Sequence, residues 1–257
     1  MQNFRFLEHI GPIPFAHRGG ASEAPENTMP AFELAVSLGY RYLETDVQVT
    51  ADGVLVAFHD NDLERTTGRK ARVSDLPWAD VRTALVDGRE PIPLLEDLLG
   101  AFPEARINID CKTDAAVDAL VETIGRTGAI DRVCIGAFSA SRLRRIRERM
   151  GTSLCTSLGP SEVVRWLTAS TTGRRSMMPQ VPCAQVPVTQ SGLPIVTERT
   201  VAFAHSCGTQ VHVWTIDDPD EMHRLLDLGV DGLMTDRPAT LKSVLSDRGQ
   251  WGTARPD

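Results

Sequence analysis

The chain has 257 residues, and its composition of 42% hydrophobic and 24% charged residues excludes an extensively disordered protein. Its formal net charge of −7 at pH 7 excludes a surface built to bind nucleic acid or an anionic membrane. At this length we expect one domain over residues 1–257, because single α/β barrels commonly reach this size.

Short β-rich runs alternate with amphipathic stretches of helical length from residue 14 onward. The runs predict eight strands, at residues 14–16, 42–47, 106–111, 133–136, 153–156, 184–186, 210–215 and 232–234. The stretches between them predict helices at residues 28–38, 115–127, 139–150, 161–168, 198–206 and 219–228. This alternation favours the α/β class, as a closed (β/α)8 TIM barrel, although an open doubly wound sheet has the same local pattern.

Residues 61–93 depart from this alternation. An extra strand is predicted just before them, at residues 53–57, and they contain only one short predicted helix, at residues 79–85. We therefore expect a small insertion after the second strand of the barrel. A lid that shapes the substrate pocket and a simple long connection are both consistent with it.

The cysteines and the N-terminal residues indicate the cellular compartment of the protein. The chain has five cysteines and no Cys-x-x-Cys pair, which is typical of reduced thiols in a core. Residues 1–14 include Arg5, Glu8 and two prolines where a signal peptide needs a continuous apolar stretch. No other segment is apolar for the length of a membrane span. We predict a cytoplasmic protein without stable membrane insertion.

Three carboxylates follow the strand pattern. Glu44 and Asp46 are two residues apart on the second predicted strand, so both side chains point to the same face. Asp110 lies at the end of the third strand and adds a third carboxylate there. Such a set suits Mg²⁺ or Ca²⁺ better than zinc, and we predict a metal site. The alternative is that these residues cap helices or pair with arginine.

Cationic and titratable groups flank the carboxylates. Arg18 and Lys112 lie near them in the strand scheme and can bind a phosphate, unless they are structural ion-pair partners. His17 and His59 bracket the second strand in sequence and can exchange protons near neutral pH. Trp214 ends the seventh predicted strand, where its ring serves either as an apolar wall for a ligand or as barrel packing.

Several motifs occur in an ordered series that covers nearly the whole chain. They are His17-Arg18-Gly19-Gly20, Ala24-Pro25-Glu26-Asn27-Thr28, Glu44-Thr45-Asp46-Val47, His59-Asp60, Leu63 with Arg65-Thr66-Thr67, Asn108-Ile109-Asp110-Cys111-Lys112, Val213-Trp214-Thr215 and Thr235-Asp236. In this series the chain resembles the glycerophosphodiester phosphodiesterase family, within the wider group of barrel phosphodiesterases that includes phosphatidylinositol-specific phospholipase C.

The resemblance implies a (β/α)8 barrel that hydrolyses glycerophosphodiesters to sn-glycerol 3-phosphate and an alcohol with Mg²⁺ or Ca²⁺. By this resemblance, His17 and His59 would be the acid and the base. The metal ligands would be Glu44, Asp46 and Asp110, and the phosphate contacts would be Arg18 and Lys112. The family more often has glutamate at the position of Asp110. The aspartate is shorter by about 1.5 Å, one C–C bond, so we expect it to bind the metal through water or to alter the metal preference.

Two rival functions stay open at this stage. One is a related barrel phosphodiesterase that acts on a lysophospholipid or another phosphodiester; the other is a non-catalytic binder of phosphate ligands. The low aromatic content of 5% and the lack of an apolar anchor favour small, water-soluble diesters. The two histidines count against a binder, which needs no acid and base. The sequence is compatible with two nucleophiles. One is water; the other is the substrate's own glycerol hydroxyl, whose attack would form a cyclic phosphate.

Overall fold

The computed structural model describes residues 4–252, in which strands and helices alternate along the chain. The strands are β1 Ile13–Ala16, β2 Tyr42–Val49, β3 Leu55–Ala57, β4 Leu85–Val86, β5 Glu90–Pro91, β6 Arg106–Cys111, β7 Val133–Gly136, β8 Cys155–Thr156, β9 Cys183–Pro187, β10 Thr189–Gln190, β11 Leu193–Pro194, β12 Gln210–Trp214 and β13 Gly232–Thr235. The helices are α1 Met29–Ser37, α2 Glu64–Thr67, α3 Trp78–Val81, α4 Leu95–Ala101, α5 Ala116–Thr127, α6 Ala140–Met150, α7 Pro160–Thr172, α8 Glu198–Ser206, α9 Pro219–Asp227 and α10 Pro238–Asp247. No helix in the described residues is long and apolar enough to cross a membrane.

Eight of the strands form a nearly closed parallel barrel. Their order around it is β8, β7, β6, β2, β1, β13, β12 and β9. The two ends of this order meet at a parallel bridge between Ser157 and Cys183, and the backbone N–H of Leu158 donates to the Cys183 carbonyl at 3.0 Å. The prediction of an α/β barrel is therefore confirmed, and the open doubly wound sheet is excluded.

The sixth barrel strand shows why prolines at its ends are tolerated. Five residue pairs join β9 in parallel register to β12, including Pro187 opposite Trp214. On its other side, towards β8, only the single bridge at Cys183 is formed in the described residues. A proline has no N–H to donate, so it fits a strand end that pairs on one side alone.

Some helices differ from the predicted set. α4 and α10 were not predicted, although each buries leucines at helical spacing, such as Leu95 and Leu98 in α4. The helix expected at residues 79–85 is the shorter α3, and Leu85 instead begins the antiparallel pair β4–β5. A short amphipathic run therefore could not distinguish a helix from a helical turn followed by a hairpin.

The segment 61–93 has its own small apolar core, formed together with Val56 of β3 and Phe58, which follows β3. This core contains Val56, Phe58, Leu63, Val73, Val81, Ala84, Val86 and Ile92. The backbone N–H of Asp87 also donates to the Thr66 carbonyl at 2.8 Å, which ties the β4–β5 turn to α2. The segment is thus a packed connection, and α2 is held at a defined place beside the barrel mouth.

Side chains fill the barrel interior below its mouth. On one side, the aromatic rings of Phe15 and Tyr42 pack edge to face, with centroids 5.3 Å apart. On the other side lie Cys134, Cys155 and Cys183, which are buried in the same apolar cluster. All five cysteines are free, four of them buried, and Cys207 is partly exposed. Small and large side chains from facing strands thus fill the interior as layers.

Candidate active site

The pairing of β2 with β6 brings the predicted carboxylates together at one end of the barrel. Asp46 lies directly opposite Asp110 in the parallel register, and Glu44 lies opposite Asn108. Since side chains two residues apart share a face of a strand, Glu44, Asp46 and Asp110 all border the cavity at the barrel mouth. All three are buried, so their charges need partners within the protein.

Lys112 joins two of these carboxylates. Its Nζ lies 2.8 Å from Asp46 Oδ1 and 2.7 Å from Asp110 Oδ2. Burial lowers the pKa of Lys112, but the two carboxylates raise it above its ordinary value, so the ammonium stays charged. Burial also raises the pKa of Asp46, yet Lys112 and Arg18 together hold it below its ordinary value. Asp46 is therefore ionised and neutralised from two sides.

A glycine turn after β1 places Arg18 in the site. Arg18 itself has a left-handed backbone, and Gly19 follows with φ of 83°. A Cβ at Gly19 would lie 2.7 Å from the Ala31 Cβ, so only glycine fits against α1 there. The turn directs the Arg18 backbone N–H to Glu44 Oε2 at 3.0 Å, while its guanidinium Nε lies 3.2 Å from Asp46 Oδ2.

Glu44 and Asp110 are carboxyl groups whose charged form the protein stabilises less well than that of Asp46. Burial and the neighbouring Asp46 raise the pKa of Glu44 to about 7. Burial also raises the pKa of Asp110, despite the nearby Lys112. Among the described residues, Asp110 Oδ1 is a buried oxygen without a hydrogen-bond partner. Carboxylate oxygens such as these are the ligands that a hard divalent cation prefers.

His17 is held by a carboxylate that directly follows the last barrel strand, β13. Its Nδ1 donates to Asp236 Oδ1 at 2.7 Å, and its Nε2 lies 3.8 Å from Glu44 Oε2. Asp236 is fixed in turn, because its backbone N–H donates to Asp217 Oδ1 at 2.8 Å. Burial lowers the pKa of His17, but Glu44 and Asp236 raise it above its ordinary value. The ring is therefore oriented with Nε2 towards the cavity.

His59 is held by the adjacent residue and by α2. Its Nδ1 donates to Asp60 Oδ1 at 2.5 Å. Arg65 of α2 donates from Nε to Asp60 Oδ2 at 2.6 Å, and its two terminal nitrogens donate to Glu26 at 2.8 and 2.7 Å. Glu26 also accepts from Arg18 Nη1 at 2.9 Å. Arg65 thus connects the supports of His59 and Arg18.

The structure brings all the predicted site residues to one cavity of about 600 Å³: His17, Arg18, Glu44, Asp46, His59, Asp110, Lys112 and Trp214. Four residues that hold this set were not predicted as site residues, namely Glu26, Asp60, Arg65 and Asp236. All four stand in the motifs quoted above, and that was the only signal in the sequence that could have identified them. Trp214 contacts Phe138 edge to face, with ring centroids 5.8 Å apart.

The predicted metal ligands do not form a closed ligand cluster. Within residues 4–252, the one trio of His, Cys, Asp or Glu whose ligand atoms all lie within 4.8 Å of one another is Cys134, Cys155 and Cys183. The carboxylates are less close, and Lys112 occupies the space between Asp46 and Asp110. The unpartnered Asp110 oxygen still fits a cation. Metal binding by the carboxylates therefore remains a prediction.

Comparison with known proteins adds a family match and close relatives. The model of the "Glycerophosphoryl diester phosphodiesterase family" matches residues 17–240. A Mycobacterium tuberculosis protein named "Probable glycerophosphodiester phosphodiesterase 2" is 44% identical over 254 residues, which cover 97% of this chain and 96% of the relative.

Solved structures share the fold. The glycerophosphoryl diester phosphodiesterase domain of an uncharacterized Mycobacterium tuberculosis protein has a TM-score of 0.79 at 22% identity, covering 92% of this chain and 99% of that domain. An Oleispira antarctica phosphodiesterase, solved in complex with its product sn-glycerol-3-phosphate, has a TM-score of 0.77 at 22% identity, covering 92% of this chain and 97% of the other. At these identities the likeness establishes the fold.

Proposed function

The chain belongs to the glycerophosphoryl diester phosphodiesterase family and is a phosphodiester hydrolase, and on this premise we propose that it hydrolyses glycerophosphodiesters to sn-glycerol 3-phosphate and an alcohol. One observation carries the proposal: two histidines, each held at Nδ1 by a carboxylate, border one cavity together with Arg18 and Lys112. Membership in a hydrolase family argues against the non-catalytic binder.

The two histidines would supply the acid and the base. A carboxylate only accepts hydrogen bonds, so Nδ1 of each ring carries the hydrogen and Nε2 is left to accept or donate a proton. One Nε2 would take the proton of the attacking hydroxyl, and the other would protonate the leaving oxygen. Asp236 and Asp60 would hold the rings in the required tautomer and orientation.

Arg18 and Lys112 would bind the phosphodiester. Both cations border the cavity. Arg18 pairs with the buried Asp46 and the partly buried Glu26, and Lys112 pairs with Asp46 and Asp110. Fixed positive groups in a site of limited water access stabilise the charge that develops on phosphoryl oxygens, and they need little reorganisation during the reaction. The pairing with Asp46 and Asp110 would hold them in place before the substrate enters.

A divalent cation, Mg²⁺ or Ca²⁺, would be held by Glu44, Asp46 and Asp110. Bound there, it would supply positive charge that polarises a phosphoryl oxygen. The raised pKa of Glu44 and the unpartnered oxygen of Asp110 support this assignment. The proposed compartment is the cytoplasm, where unpaired cysteines such as these stay reduced.

The test is release of glycerol 3-phosphate from four diesters, with choline, ethanolamine, glycerol or inositol as the alcohol, in Mg²⁺, in Ca²⁺ and in a chelator. We expect metal-dependent turnover that His17→Ala lowers by roughly 10²–10⁴-fold, the usual contribution of acid–base catalysis. Turnover that survives both the chelator and His17→Ala would refute the proposed mechanism. An absence of turnover with every diester and metal would refute the proposed substrate class.

A further inference from the structure

An apolar surface forms the part of the cavity that the proposed chemistry does not use. We define the apolar wall as six side chains that line it: Phe138, Val163, Val164, Leu167, Leu193 and Trp214. Phe138, Val164 and Leu193 are 67%, 63% and 69% exposed. They are half of the exposed large hydrophobic side chains in the described residues. Single exposed hydrophobic residues are ordinary, but a contiguous group beside a polar site indicates a binding surface.

The wall comes from segments on the side of the barrel opposite β1 and β2. Phe138 lies two residues after β7, Leu193 lies in β11, and Trp214 ends β12. The remaining members lie on α7. That helix already buries Trp166, whose Nε1 donates to the Thr200 carbonyl at 3.3 Å. The exposed Val164 is therefore not needed to pack α7 onto the barrel.

The wall begins at the phosphate-binding groups. Lys112 Nζ lies 5.6 Å from the centroid of the Phe138 ring, and the same ring contacts Trp214. A phosphodiester bound at Lys112 would therefore have the wall beside it. A small diester such as glycerophosphocholine is polar throughout and would leave the wall in water. A hydrocarbon chain on the diester would cover it, and burial of apolar surface is favourable.

We propose that the apolar wall binds a hydrocarbon chain of the substrate, so that the preferred substrate is a single-chain amphiphilic phosphodiester, such as a lysophospholipid. The inference rests on the proposed function, because the wall and the catalytic residues share one cavity. It reverses the preference for small, water-soluble diesters that composition suggested. Two sources of the chain have the same chemistry: an acyl chain on the glycerol, or an alkyl chain on the leaving alcohol.

Such a substrate would be hydrolysed by the same bond changes and proton transfers as the small diester. A water oxygen forms a bond to phosphorus as the bond from phosphorus to the leaving oxygen breaks. The proton of the water passes to one histidine, and the other histidine gives a proton to the leaving oxygen. With lysophosphatidylcholine the products are a lysophosphatidic acid and choline, so choline release measures this substrate and glycerophosphocholine in the same way.

The test compares kcat/KM for lysophosphatidylcholine, kept below its critical micelle concentration, with kcat/KM for glycerophosphocholine. We expect a ratio of about ten or more in favour of the lysophospholipid, since several methylene groups leave water. A third substrate, a glycerophosphodiester of a long-chain alcohol assayed by release of glycerol 3-phosphate, distinguishes the two sources. Whichever amphiphile has the higher kcat/KM identifies the side of the diester that faces the wall.

Variants locate the effect at the wall. Leu193→Asp and Val164→Asp place a charge at exposed positions, so the fold should tolerate them. We expect each to lower the ratio about tenfold. Ile10→Asp is the matched control, because Ile10 is also exposed, at 54%, but lies outside the cavity. It should leave the ratio unchanged.

The outcomes separate this inference from the proposed function. Hydrolysis of glycerophosphocholine with a kcat/KM at least as high as that of both amphiphiles would overturn the inference and leave the function intact, and the wall would then face another partner. A high ratio that Leu193→Asp and Val164→Asp do not change would also overturn it. No hydrolysis of any of the three substrates with either metal would count against the proposed function itself.

Discussion

The two sides of the barrel mouth differ in how their side chains are held. On the side of β1, β2 and β6, charged groups are buried and linked to one another, as in the contacts of Lys112 with Asp46 and Asp110. On the side of β7, β8 and β9, the cavity is lined by exposed apolar groups such as Phe138 and Leu193. A charged site needs such preorganisation to stabilise developing charge. An apolar surface needs only shape and area, so it tolerates looser support.

The largest effect should follow loss of the cation that links the charged side. Lys112→Met leaves Asp46 and Asp110 buried without this ammonium, and breaking such a buried pair typically costs about 3–5 kcal/mol. Urea unfolding measures this cost. Lys70→Met is the matched control: Lys70 is exposed and pairs with Glu64, and such surface pairs contribute about 0–1 kcal/mol. Equal, small losses in both variants would contradict the buried linkage.

The stability of the charged side should also depend on pH. The pKa of Glu44 is about 7 in the folded protein and has an ordinary value of 4.5. Between these two pH values the folded state therefore binds more protons than the unfolded state. The free energy of unfolding should then fall as pH rises through this window. The expected loss is a few kcal/mol in a chelator, at 1.36 kcal/mol per pKa unit. Glu44→Gln should be less pH-dependent there; an identical profile would contradict the assignment.

The supports of the two histidines allow a finer comparison within the charged side. Asp236→Asn keeps the shape of the residue but weakens its hold on His17. We expect kcat to fall roughly tenfold to a hundredfold, because partners that orient a histidine contribute about this much. The pKa that His17 contributes to the pH–rate profile should also fall, since Asp236 raises it. A fall in kcat with an unchanged profile would indicate a merely structural role.

The smallest effect should come from the outermost support. Arg65 is half-exposed and reaches the site only through Asp60 and Glu26. Arg65→Lys keeps the charge but cannot form the paired hydrogen bonds of the guanidinium. We expect a fall in kcat of about tenfold or less, with KM nearly unchanged, as for outer partners in general. A loss as large as that of His59→Ala would mean that Arg65 acts on the substrate directly.

The sequence predicted the charged side better than the apolar side, for a physical reason. Glu44, Asp46 and Asp110 lie on strands, where alternation alone decides the face of a side chain. The roles of Asp236 and Arg65 depend on tertiary contacts. Asp236 reaches His17 only because β13 pairs with β1, and Arg65 depends on the packing of residues 61–93. No local sequence pattern predicts either contact.

The apolar wall could not be predicted for a similar reason. Its members come from separate segments, such as Phe138 after β7 and Leu193 in a hairpin, and they share no period. The aromatic content of 5% concerns the whole chain and says nothing about where the aromatic residues gather. The strand order was the missing information, because it places these segments around one mouth.

His17 and His59 are the proposed acid and base, and a change of leaving group tests these roles most directly. The measurement is kcat/KM of wild type, His17→Ala and His59→Ala with glycerophosphocholine and with a p-nitrophenyl ester of glycerol phosphate. The nitrophenolate leaves without a proton, so the variant that lacks the acid should regain most of its activity with this ester. The variant that lacks the base should stay inactive with both substrates. Equal losses of both variants with both substrates, or no loss in either, would contradict the assignment.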